Sequence, residues 1–202
     1  MADEVLDHRP STTGDDFAAS SAPPAWPKVV GTLSIVFGSL SIMCTGFGMI
    51  SAVFFTPWIA RQMEAQADGP VELPPNMQFD PQMWLYMAAG VATNVLLVIA
   101  GILVLSRLKA GRGAHLVYAV MELGAIAWGI VITIRQHAAM DQFAADHPGN
   151  PFIAQRNEAV EWGIAAAMFV IAACWPVFCL IWFGLVKKSE RDFKGSETQQ
   201  LI

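Results

Sequence analysis

Four apolar runs, over residues 29–56, 84–106, 113–134 and 160–186, limit what this chain can fold into. Each reaches the roughly 20 helical residues needed to cross about 30 Å of hydrocarbon. Inside a bilayer no water is present to satisfy backbone N–H and C=O groups, so such runs must satisfy them internally as helices. The reading is an all-α polytopic membrane protein, a four-transmembrane-helix bundle in contact with the lipid bilayer. A hydrophobic content of 54% with 14% charge agrees with it. The formal charge of −5, with basic residues only in short clusters flanking the membrane, argues against nucleic acid as a partner.

Around the runs the chain divides into three parts. Residues 1–27, rich in Ala, Ser, Pro, Thr and Asp, bury too little apolar surface to fold and read as a disordered tail. Residues 28–187 form the four-helix domain, and 188–202 a second tail. Asp3, Glu4 and Asp7, followed by a late and overlong apolar run, argue against a cleaved signal peptide. Span one is expected to leave the membrane at Pro57-Trp58. The proline-rich stretch 61–83 then carries few signals of regular structure. The short turn at 107–112 forces spans two and three to be antiparallel neighbours. The helical pattern of span three continues through Arg135, His137, Asp141 and Phe143 until Pro148-Gly149-Asn150-Pro151 breaks it.

Charge sets the expected orientation. Arg9, Lys28, Arg107, Lys109, Arg112, Lys187, Lys188, Arg191 and Lys194 share one side, against Arg61, Arg135 and Arg156 on the other. Positively charged flanks stay in the cytoplasm, so both termini are expected there. Trp26, Trp58, Trp84, Trp162 and Trp182 fall near span ends, where an interfacial aromatic belt belongs, while Trp128 and Trp175 lie deep.

Within span one, Gly31, Ser34, Gly38, Ser41, Thr45, Gly48 and Ala52 recur in alternating steps of three and four. Helices in lipid associate by close van der Waals approach, so a stripe of small side chains marks a packing seam. It makes span one the helix on which the others are expected to pack. Small residues in span three (Ala119, Gly124, Ala125, Ala127, Gly129) and span four (Ala165, Ala166, Ala167, Ala172, Ala173) predict close packing there too. Pro176, inside span four, removes a backbone donor from the Ala172 carbonyl and is expected to kink the helix.

Chemistry is sparse. Glu122 lies roughly ten residues into span three, near mid-membrane at about 1.5 Å rise per residue. A carboxylate at that depth is costly and needs a partner. Asn94 in span two, at similar depth on the antiparallel neighbour, forms with it a candidate intramembrane polar pair, either a structural clamp or a proton or cation site. His115, His137 and His147 do not face each other at one depth, which argues against haem, and His115 reads as an interfacial residue touching solvent. His137, Asp141, Asp146, His147, Glu158 and Glu161 read as a solvated loop and a charged helix start rather than metal ligands. Cys44, Cys174 and Cys179 lie within spans and read as small packing residues. There is no phosphate-cradling glycine loop, nucleophile elbow, HExxH or CxxC.

No catalytic residues, metal or cofactor are therefore assigned. The expected function is non-catalytic: an accessory, assembly or scaffolding subunit that packs against other membrane proteins or itself. The alternative is a small proton- or ion-coupled transporter, channel or sensor using Glu122 and Asn94. In plan the chain is similar to small four-helix membrane proteins of bacteria, and that likeness implies the inner membrane as its location.

Overall fold

The computed structural model describes residues 25–66, 72–78, 80–150, 152–153 and 156–186. The expected tails at 1–27 and 188–202 therefore lie almost entirely outside the described residues. Among those described, all regular structure is helical. Four stretches are long and apolar enough to cross a membrane: Trp26–Gln62, Pro81–Leu105, Ala110–Asp146 and Glu158–Leu185. This is a helical bundle compatible with an integral membrane protein.

Helix α1 (Trp26–Ile50) starts with Pro27 in its first turn, where a missing N–H costs nothing. Pro57 does not end this span. Ahead of it the helix widens into a π turn at Ser51–Phe55, with the Thr56 N–H donating to the Ser51 carbonyl five residues back. A wide turn relieves the clash of a proline ring with the preceding turn. Helix α2 (Thr56–Gln66) continues the same rod past the expected exit.

The stretch expected to lack structure holds a short 3-10 turn at Pro75–Met77 and the start of α3 (Pro81–Leu105). Asp80 caps α3 by accepting from the Met83 N–H at 2.7 Å, and Pro81 takes the first turn. At its other end, Leu108 N–H bonds to Leu103 O and Arg107 N–H to Val104 O. Arg107 itself adopts φ 55°, the left-handed cap position usually given to glycine. This tight reversal makes α3 and α4 (Ala110–Asp146) antiparallel, as expected. Helix α4 runs unbroken through Arg135 to Asp146, ending just before Pro148. Asn157 caps α5 (Glu158–Cys179) by accepting from Val160 N–H at 3.2 Å, and Glu158 and Glu161 sit in its positive first turn. Helix α5 passes through the buried Pro176 to Cys179 and then widens into a π turn at Leu180–Leu185.

Span one is not the hub. Helix α1 packs chiefly on α3, α3 on α4, and α4 on α5, so α3 and α4 are the central pair. The seam is nonetheless the α1 face turned inward. Gly31, Ser34, Gly38 and Ala52 are buried, and Ser41, Thr45 and Gly48 are half-buried. A Cβ on Gly31 would come within 2.8 Å of the Gly101 carbonyl oxygen, and one on Gly101 within 2.8 Å of the Gly31 carbonyl oxygen. A Cβ on Gly38 would meet the Asn94 carbonyl oxygen at 2.9 Å. The two backbones therefore touch, and any side chain larger than hydrogen at these points would push them apart.

Helices α1 and α5 meet differently, through rings. Trp26 packs edge-on against Trp182 and Phe183 with centroids 5.8 and 6.1 Å apart, and Phe37 meets Trp175 edge-on at 5.0 Å. The expected belt members Trp26 and Trp182 thus pack on each other. The small residues of α5 are not used in the same way: Gly163, Ala166 and Ala167 are exposed, and among the described residues a Cβ on Gly163 would meet nothing within 4 Å.

Candidate functional site

Three residues on one face of α4, His115, Tyr118 and Glu122, follow each other at helical spacing and point into the bundle. His115 is fully buried rather than interfacial. Its Nε2 lies 2.8 Å from Ser34 Oγ of the seam, its Nδ1 2.8 Å from the Gly111 carbonyl oxygen, and its ring stacks on Phe183 with centroids 4.5 Å apart. The position at a span end suggested exposure. The fold instead closes over it, because the α1 seam and the α5 extension both cover this end of α4.

Deeper along the same face, Tyr118 and Glu122 line a cavity of about 590 Å³ between α1 and α5. Helix α1 contributes Leu33, Phe37 and Ser41, α3 contributes Asn94 and Leu97, and α5 contributes Trp175 and Phe178 among others. Counting about 1.5 Å per residue from the ends near the short turn, Phe37, Asn94, Glu122 and Trp175 all lie about 15–18 Å in. The cavity is thus near mid-membrane, walled mostly by apolar and aromatic groups.

Glu122 and Asn94 therefore share one cavity. No hydrogen bond joins them among the described residues. The Asn94 amide instead donates to the Gly90 carbonyl of its own helix at 2.8 Å. Glu122 Oε2 is shielded from the surroundings and has no hydrogen-bond partner. The Trp175 Nε1–H, on the facing wall, has none either. Cys174 Sγ donates to Val170 O at 3.2 Å. Pro176 supplies no N–H to the carbonyl of Ala172, which also lines the cavity. Sequence reasoning found Glu122 and Asn94 from depth alone. Depth places Trp175 within its span as well, but nothing in the sequence marks an indole N–H as unpartnered.

The far end of the bundle is more ordered than a solvated loop. Arg156, with only 9% of its side chain exposed, donates to Asp141 at 2.8 Å and to Glu161 at 3.0 Å, tying the end of α4 to the start of α5. His137 Nδ1 lies 3.7 Å from the same Glu161 oxygen and stacks flat on Trp162, centroids 4.1 Å apart. His147 pairs with Glu72, whose carbonyl also accepts from Asn150 at 3.1 Å. Among the described residues no three His, Cys, Asp or Glu side chains come together in a way that could hold a metal ion.

Comparison with known protein families, curated proteins and solved structures finds no match to this chain.

Proposed function

We propose that this protein is a non-catalytic accessory subunit of the membrane, which packs against other membrane proteins through the outer face of α5. One observation carries the reading. Helix α5 is buried only at Pro176 and Cys179, close to its end, while Gly163, Ala166 and Ala167 leave a small-residue face uncovered. In lipid, a face of that kind favours another helix, because small side chains let two backbones approach closely. The same device is already used inside the chain, where Gly31 and Gly101 meet.

The four buried polar side chains among the described residues, Ser34, Thr93, Asn94 and His115, support a non-catalytic role. They are all hydrogen-bonded to helix backbones or to each other, which fixes helices rather than presenting reactive atoms. By the excess of Lys and Arg, the termini and the short turn face the cytoplasm, and the likeness in plan to small bacterial proteins favours the inner membrane.

The test is a pair of substitutions, Gly163→Leu with Ala167→Leu, made in the protein in its own membrane. Among the described residues, nothing lies within 4 Å of a Cβ at Gly163. The isolated protein should therefore keep its thermal stability while co-purification of its partners is lost. Unchanged co-purification would remove α5 as the packing face.

A second reading draws on one observation, that Glu122 and Asn94 line the same cavity. It makes the protein a proton- or cation-coupled transporter, channel or sensor. Flux into vesicles carrying the purified protein, abolished by Glu122→Gln with folding intact, would favour it over the accessory role.

A further inference from the structure

Arg135 of α4 and Asp80 at the start of α3 line one pocket at the end of the bundle away from the short turn. Both residues are exposed, and so available to an occupant. Among the described residues neither forms an ion pair, with the other or with anything else, and Asp80 Oδ1 accepts only from the Met83 N–H that it caps. An arginine at a span end would by itself only reach for water. One that shares a pocket with an unneutralised carboxylate makes a site with two opposite poles.

The pocket sits at the border of the hydrocarbon. The apolar run of α4 ends at Ile134, one residue before Arg135, and that of α3 begins at Trp84, two residues after Gln82. The buried Ile132 forms part of the wall. One turn deeper on the faces of Gln82 and Arg135, Leu85 and Val131 are exposed, an apolar path from the pocket toward the bilayer. The volume, about 290 Å³, lies at the small end of the roughly 300–1,000 Å³ typical of small-molecule sites, and suits a headgroup whose tails lie outside. The remaining polar lining serves both poles. Beside Arg135, the Gln82 and Gln136 amides offer N–H donors to an anion. Beside Asp80, Gln78 offers an acceptor to a cation: its amide nitrogen is held by the Leu73 carbonyl at 2.8 Å, which leaves its oxygen for a donor. The complementary ligand is a phosphodiester joined to a primary ammonium. A quaternary ammonium has no N–H to give these acceptors and is recognised by aromatic faces, of which the pocket has none among the described residues.

We propose that this pocket binds the headgroup of one phosphatidylethanolamine from the adjoining leaflet. Its phosphate lies on Arg135 with Gln82 and Gln136, its ammonium on Asp80 with Gln78, and its acyl chains run along Leu85 and Val131. The site involves neither Gly163 nor Ala167, so it stands whether or not α5 carries a partner.

The experiment is native mass spectrometry of the full chain released from detergent, titrated with an equimolar mixture of phosphatidylethanolamine, phosphatidylcholine and phosphatidylglycerol bearing the same acyl chains. The expected result is one phosphatidylethanolamine retained per chain, about three- to tenfold over either competitor. Asp80→Asn keeps the cap, which asparagine supplies about as well as aspartate, and removes the charge. It should leave thermal stability unchanged and bring phosphatidylglycerol level with phosphatidylethanolamine. Arg135→Gln should weaken retention of phosphatidylethanolamine about two- to tenfold. Equal retention of phosphatidylethanolamine and phosphatidylcholine by the parent chain would overturn the proposal, leaving annular lipid held by apolar contact. Phosphatidylglycerol retained above phosphatidylethanolamine would overturn it as well, making Arg135 a plain anion site. So would soluble glycerophosphoethanolamine that raises the melting temperature of a parent chain retaining no phosphatidylethanolamine, which would place the ligand in water. These three outcomes are read on the unaltered chain, so none depends on a variant folding.

Discussion

Ser34 Oγ, in the middle of the small-residue seam, lies 2.8 Å from His115 Nε2, joining two helices across 81 positions of sequence. The other ring nitrogen determines which of the two is protonated. His115 Nδ1 faces the Gly111 carbonyl at 2.8 Å, and a carbonyl only accepts, so Nδ1 carries a proton. In a neutral ring Nε2 then accepts from the Ser34 hydroxyl. That hydroxyl also lies 2.9 Å from Val30 O, and its single proton cannot serve both acceptors.

The first prediction concerns that proton. Nitrogen chemical shifts of His115 should report a protonated Nδ1 and a bare Nε2, with the Ser34 hydroxyl turned to the ring. A bare Nδ1 would contradict the arrangement, since it would set two lone pairs against each other at the Gly111 carbonyl. Ser34→Ala removes the donor and leaves Nε2 unpaired inside the bundle, at a cost of about 1–3 kcal/mol in unfolding measured in mild detergent.

The glycine contact between α1 and α3 can be tested by adding one carbon. Gly101→Ala puts a Cβ 2.8 Å from the Gly31 carbonyl oxygen, and backbone is the slowest part of a helix pair to give way. Destabilisation of about 1–3 kcal/mol is expected, as for overpacking elsewhere. Gly46→Ala, where a Cβ meets nothing, should be neutral or slightly stabilising. Equal effects at the two positions would show that α1 and α3 are not in backbone contact.

Arg156 joins α4 to α5 outside the hydrocarbon. Its two carboxylate partners reach solvent, Asp141 at 56% exposed and Glu161 at 36%, so solvent screening keeps the gain small. Arg156→Ala should cost about 1 kcal/mol or less. Its clearer sign is faster amide hydrogen exchange around Asn157 and Glu158. Arg156→Lys should behave much the same, because an ammonium cannot fork to two acceptors in the planar geometry of a guanidinium. Raised salt should narrow the difference between parent and variants.

Thiol labelling separates the three cysteines. Cys44 and Cys174 are exposed and Cys179 is buried against the bundle core. A membrane-permeant maleimide should modify Cys44 and Cys174 in the folded protein and reach Cys179 only on unfolding. Modification of Cys179 at the rate of Cys44 would be incompatible with the packing of α4 against α5.

What could be read in advance follows from the physics of each feature. The length of the apolar runs and the hydration cost of backbone in lipid dictated four helices. The steps of three and four from Gly31 to Ala52 identified the inward face of α1. Its counterpart, Gly101, is separated from the small residues at 88–93 by the bulky run 95–99, so α3 shows no continuous small-residue seam and which helix α1 would meet was not legible. Helical rise put Glu122 and Asn94 at one depth, and they do share a cavity. Depth says nothing about rotation, however, and the Asn94 amide turned to Gly90 instead. Burial of His115 depends on Ser34 and Phe183, both far away in sequence. Pro57 looked like an exit because proline breaks a regular helix, whereas a π turn absorbs it. The cap at Asp80-Pro81 has a local signature, an Asp before a proline in the first turn, but it sits at the end of a stretch whose other prolines signal irregular chain.

The proposed role as an accessory subunit stands or falls on what the chain carries with it out of the membrane. Native mass spectrometry after extraction from its own membrane in mild detergent is the direct measurement. The predicted result is a reproducible assembly of this chain with other membrane proteins, broken by Gly163→Leu with Ala167→Leu. A species at the mass of one chain, or multiples of it alone, would contradict that role.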